Sequence, residues 1–143
     1  MKKTALLAAR DPLGMVEFAS KLIDSFGYQV LGLESSAPFA LPEDCEIVDF
    51  RYAEKAIREG DASLLVANFS NPTVGFHRGR PWKNALTEMD HEIVGLIRIA
   101  ALNPNGVGVL GDSRLYPDAL ELLAANHGLL PEDFRVRQAC NAL

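Results

Sequence analysis

Cysteine is scarce in this chain of 143 residues, and its two copies, Cys45 and Cys140, lack the C-x-x-C spacing of a redox or zinc motif. A disulfide scaffold is therefore excluded, and both side chains are expected to be free thiols in a reducing cytoplasm. Long apolar runs are also missing. Lys2 and Lys3 precede only a six-residue run, Thr4 to Ala9, too short for a secretory leader, and no stretch approaches the length that spans a bilayer, so no membrane partner is expected. Basic residues are the minority, 14 Lys and Arg against 19 Asp and Glu for a net charge of -5. That balance argues against an extended nucleic-acid surface, which needs clustered cations to meet phosphates. A small anion in a local basic pocket is still compatible with it. No set of His, Cys, Asp and Glu has metal-ligand spacing, and no cofactor is expected.

What is present is apolar and regularly punctuated. With 48% hydrophobic and 23% charged residues the chain suits one domain over 1–143, and a chain of this size buries roughly 70% of its unfolded surface. Thr4 to Ala9 is a continuous apolar run, the mark of a strand covered on both faces. Asp11 and Pro12 are suited to the cap and first position of a helix carrying Val16, Phe18, Ala19, Leu22, Ile23 and Phe26 on its apolar side, with Gly27 ending it. Further strands are expected at 28–33, 46–50, 62–69 and 107–110, and helices at 52–59, 85–102, 116–127 and 131–143. Alternation of this kind predicts a three-layer α/β fold with a mostly parallel sheet of about five strands.

In such sheets ligands bind beyond the carboxyl ends of the strands, near the point where strand order reverses. The loops after the first, second and fourth strands are therefore the places to look. The first holds Arg10, Asp11 and Gly14, and the second Glu34, Ser35 and Ser36. The third, 71–84, contains His77, Arg78, Gly79, Arg80, Pro81, Trp82 and Lys83: three cations, an aromatic face and a candidate proton-transfer group. A solvated loop with Trp82 covering the core is the competing reading. Likewise Asp11 could serve only as a helix cap, with Arg10 in solvent, and Glu34 could simply face water.

Two segments carry a family resemblance: Ala5 to Ala19, and Met89 to Leu143 with Met-Asp-His-Glu-Ile-Val-Gly-Leu-Ile-Arg-Ile-Ala-Ala-Leu-Asn-Pro at its start. Together they resemble the IMP cyclohydrolase domain of the bifunctional purine-biosynthesis enzyme, in the methylglyoxal synthase-like family. The resemblance implies a phosphate loop, where Asp11 and Gly14 match the family's Ser-Val-Ser-Asp-Lys-Thr-Gly and Arg10 would take over from its lysine. Ser35 and Ser36 stand where the family has Ser-Thr-Gly-Gly-Thr. Val66-Ala67-Asn68-Phe69-Ser70 is similar to Val-Val-Asn-Leu-Tyr, keeping Asn68, and Asp90 matches the aspartate of Ile-Asp-Ile-Gly-Gly.

Asn103 matches a Lys-Asn pair whose lysine is here Leu102, and the family's Arg-Val-Lys-Thr segment is absent after Asp49-Phe50-Arg51. The resemblance implies Asn68 and Asp90 for catalysis, with Arg10, Asp11, Gly14, Ser35, Ser36 and Asn103 for a phosphorylated nucleotide-like or sugar-like ligand; the 71–84 loop adds His77 as a proton-transfer candidate and Arg78 and Arg80 as ligand-binding cations of a rebuilt site. The resemblance further implies a homodimer and a cyclohydrolase-type ring closure. The alternative is a non-catalytic ligand-binding or assembly module, like the allosteric domain of carbamoyl-phosphate synthetase.

Overall fold

A computed structural model describes residues 2–8, 14–36, 41–42, 45–68 and 91–142. Five strands, β1 (Thr4–Leu7), β2 (Gln29–Leu33), β3 (Glu46–Val48), β4 (Leu64–Val66) and β5 (Gly108–Leu110), form one sheet in the order β3-β2-β1-β4-β5. All four pairings are parallel, not merely most of them. Among the described residues five helices cover it: α1 (Met15–Phe26), α2 (Phe50–Arg58), α3 (His91–Ala101), α4 (Tyr116–Ala125) and α5 (Glu132–Ala142).

The continuous apolar strands are explained by two cores. Side chains alternate across the sheet, so Ala5 and Leu7 enter one core with Phe18 and Leu22 of α1 and Tyr116 and Leu123 of α4. Leu6 and Ala8 enter the other, with Ala53 and Ile57 of α2 and Ile93 and Leu96 of α3. Helix α5 packs on β5 and α3, and it contributes Phe134 to the first core.

Boundaries move where a cap decides them. Helix α1 starts at Met15, not near Pro12, because Gly14 is its N-cap in the left-handed conformation at φ 72°. Only glycine takes that conformation cheaply; the Asp11 and Pro12 expected at the start of this helix lie outside the described residues. Helix α2 begins two residues earlier than its periodicity indicates. The Asp49 carboxylate accepts the Tyr52 amide at 2.8 Å, which caps the helix and ends β3 at Val48. Helix α4 stops at Ala125, since His127 and Gly128 both have positive φ, 58° and 83°. The part of the third expected helix before 91 lies outside the described residues.

At the amino end of the sheet, Tyr28 is 5% exposed and its hydroxyl donates to the Gly128 carbonyl at 2.7 Å, tying α1's exit to the turn after α4. Burial pushes this phenol above its ordinary value near 10, and the Ser63 hydroxyl offsets part of the shift. The folded state therefore holds the proton more tightly than the unfolded chain. The associated stability is complete below about pH 10 and is lost as pH rises through the folded value. Tyr28→Phe should cost about 1 kcal/mol near neutrality and flatten the alkaline limb of a melting-temperature profile. An unchanged alkaline limb would assign that titration to other groups.

Candidate functional site at the strand-order switch

From β1 the chain steps outward to β2 and β3, then returns to the opposite side of β1 as β4. The reversal leaves a crevice between the carboxyl ends of β1 and β4. The ladder is closed up to its lip: the Ala8 amide donates to the Val66 carbonyl at 2.9 Å, and the Ala67 amide to the Leu110 carbonyl at 2.7 Å. The next residue on β4's side is Asn68.

Asn68 is 4% exposed, and its carboxamide oxygen accepts the Tyr116 hydroxyl at 2.9 Å. Beside that oxygen the same carboxamide carries an NH2 with two donors. Tyr116 is itself fixed by Phe18, whose ring stacks on it at 4.4 Å between centroids and 10° between planes. Gly14 completes the cluster, because a Cβ there would approach the Tyr116 ring to 3.5 Å. Thus the α1 cap, the first α1 turn, the α4 start and the end of β4 are locked together by one tyrosine.

In the sequence Tyr116 stands at the start of an expected helix, within the stretch that carries the resemblance. A tyrosine in that place looks like a core residue, and its partner is 48 residues away, so no local pattern announces the pair. Tyr116→Phe keeps the ring and removes this bond to a buried oxygen, which should cost about 1–3 kcal/mol in denaturant unfolding. A change below a few tenths would mean that Asn68 is held chiefly by other groups.

The remaining assigned residues divide by end of the sheet. Ser36, 1% exposed, lies in a short turn (Glu34–Ser36) at the carboxyl end of β2, so it shares an end with Gly14 and Asn68. Ser35 is in the same turn, its side chain outside the described atoms. Asn103 does not join them. Its carbonyl accepts the Gly106 amide at 3.1 Å and the Val107 amide at 3.0 Å, forming the turn from α3 into β5 at the amino end of the sheet. Leu102 beside it is 75% exposed. Arg10, Asp11, His77, Arg78, Arg80 and Asp90 lie outside the described residues.

Among the described residues two openings flank the crevice. One of about 320 Å³ runs between α1 and α4, with Gly14, Lys21 and Tyr116 on its walls. Another of about 490 Å³ lies beyond β2 and β3, walled by Glu34, Asp49, Phe50, Arg51 and Glu92. Its three carboxylates against one guanidinium make it a poor host for phosphate. Among the described residues no group of three or more His, Cys, Asp or Glu side chains could hold a metal ion, and no helix is long and apolar enough to cross a membrane.

No family model matches the chain, and no curated protein matches it. Among solved structures, the crystal structure of ForH superposes on it with a TM-score of 0.66, covering 99% of this chain and 92% of that one at 19% identity. At that identity the likeness is one of fold, and function has to be argued from the site.

Proposed function

We propose that this chain is a shortened, IMP cyclohydrolase-like domain that binds a phosphorylated nucleotide-like or sugar-like ligand in the crevice between β1 and β4, acting in the cytoplasm. The observation that carries the reading is the joining of Gly14, Phe18, Tyr116 and Asn68 at the strand-order switch. An α1 terminus capped by backbone alone favours a negative group, since the helix dipole is positive there. Asn68 adds neutral donors suited to a carbonyl or a phosphate oxygen. Arg10, Arg78 and Arg80 would supply the cations, and Asp90 and His77 a route for a proton.

Titration calorimetry with a purine ribonucleoside monophosphate, a sugar phosphate and inorganic phosphate tests this. Binding should be saturable, weaken as salt rises, and fall about tenfold or more in Asn68→Ala, the loss of one or two good hydrogen bonds. Arg78→Ala with Arg80→Ala should weaken binding further with little change in melting temperature. No saturable binding by any of the three would overturn the proposal.

A second reading, a non-catalytic ligand-binding or assembly module, is favoured by one observation. The Leu102–Asn103 segment, which the resemblance brings to the site, sits at the amino end with Leu102 exposed. For assembly, exposed Ile47 of β3, Tyr52 of α2 and Leu102 supply apolar contacts for a homodimer.

A further inference from the structure

A cavity of about 570 Å³ opens at the carboxyl end of the edge strand β5, one strand beyond the switch. Its size is within the range of small-molecule pockets, roughly 300–1,000 Å³. The inner wall is apolar: Ile97 of α3 and Val109 of β5 are 5% and 2% exposed, and Leu115 continues the same wall. Among the described residues the rim is polar and carries no net charge. Asp112 grips Arg114 through one carboxylate oxygen, with Nη2 at 2.6 Å and Nε at 3.0 Å, while its other oxygen accepts the Arg114 amide at 2.8 Å.

That fork holds the Asp112 carboxyl below its usual range, so the pair stays ionised and mutually neutralised at ordinary pH. Opposite it, α5 presents Gln138 and Asn141. Three residues apart, they share one helix face, and each carboxamide holds an acceptor beside two donors.

An anion gains little from a rim whose one cation among the described residues is already paired with Asp112, and a saturated hydrocarbon would waste the amides. A flat ring with alternating donor and acceptor on one edge uses both the apolar wall and the carboxamides. We propose that this cavity binds an uncharged lactam-type heterocycle, a nucleobase either bare or as its nucleoside, through Gln138 and Asn141 over the wall of Ile97, Val109 and Leu115. The proposal does not depend on the phosphorylated ligand assigned to the switch.

The test is titration of the full chain with hypoxanthine and uracil, with their ribonucleosides, and with inorganic phosphate as an anion probe. At least one base or nucleoside should bind saturably with an affinity insensitive to salt; a response to the bases identifies a bare ring and a response to the nucleosides alone a ribosylated one. Gln138→Ala and Asn141→Ala should each weaken it about tenfold, the loss of roughly 1.4 kcal/mol of hydrogen bonding. Asn141 is exposed and Gln138 half-buried, so both variants should fold, which a melting curve confirms.

Asn68→Ala should leave lactam binding unchanged, although it weakens the phosphorylated ligand, so the two sites fail separately. The proposal is overturned by absence of binding for all four neutral probes. It is equally overturned by lactam binding that survives in both α5 variants but disappears in Asn68→Ala, or by phosphate binding abolished in Arg114→Ala.

Discussion

Phe18→Ala is expected to destabilise the protein by about 3–5 kcal/mol, the usual cost of emptying a fully buried aromatic site. Phe18 is 2% exposed and lies in the core formed by α1, α4 and one face of the sheet. Its ring also stacks on Tyr116, an arrangement worth about 0.5–1.5 kcal/mol beyond area burial. For a domain of this size the melting temperature should fall by roughly 10 °C or more, as read by calorimetry. Phe18→Leu, which keeps most of the volume, should cost well under half of that. The site should suffer along with the fold, because Tyr116 loses the ring that fixes it and the hydroxyl on Asn68 loses its aim. A loss below about 1 kcal/mol for the alanine variant would mean that this side chain does not fill the core as described.

The same residue shows what local pattern can and cannot disclose. Phe18 is one of the apolar residues at helical spacing after β1, and its burial is readable from period alone. Its partner is not, because stacking depends on where α4 crosses α1, and that follows from strand order. The strands themselves are legible as short stretches, apolar in β1, β4 and β5 and beginning with the exposed Glu46 in β3, but nothing in such a stretch names its neighbour in the sheet. Order is set by which way each crossover turns, a tertiary choice.

Caps show a related limit. The Asp49 cap begins α2 before the apolar period does, and the left-handed Gly14 holds back the start of α1 despite a suitable Asp11-Pro12 pair upstream. In both places one backbone conformation outweighs several residues of favourable pattern.

Among the described residues, the end of the sheet to which a loop belongs was legible for those that follow strands and not for Asn103. Gly14, Ser36 and Asn68 follow or flank strand ends, and a parallel sheet necessarily brings such loops to one end. Asn103 follows a helix. In a parallel sheet the helix after β4 must run back to the amino end before β5 can start, so a residue at its close belongs to the opposite end from Asn68. The resemblance puts Asn103 beside the ligand of the resembled family; sheet polarity puts it in a turn. Tyr116 was hidden for the converse reason, since the start of α4 is a carboxyl-end position but its residue type reads as core.

That polarity leads to the second large effect, on turnover. Closing the ring of a formylated carboxamide ribonucleotide needs the amide nitrogen placed against the formyl carbon and positive charge near the developing oxyanion. Leucine stands at 102 where the resembled family has lysine, and the Arg-Val-Lys-Thr segment is absent. Leu102, moreover, is exposed at the amino end, away from the Asn68 crevice. Turnover of that nucleotide, followed spectrophotometrically at micromolar protein, should therefore be absent or at least about 100-fold below the ordinary median near 10 per second. A rate on the order of 1 to 1,000 per second would sink the expectation and show that the arginines of the 77–83 loop replace the missing cations in full.

Leu102→Lys separates the remaining possibilities. As an exposed change it should alter stability by no more than about 0.5 kcal/mol, and in a site built by one chain it should leave the rate unchanged, because the new cation is at the wrong end of the sheet. A rate that rises with Leu102→Lys, and rises further with protein concentration, would mean that a second copy carries its 102–103 turn into the first copy's crevice. The site would then belong to the dimer, and Asn103 would return to it from across the interface.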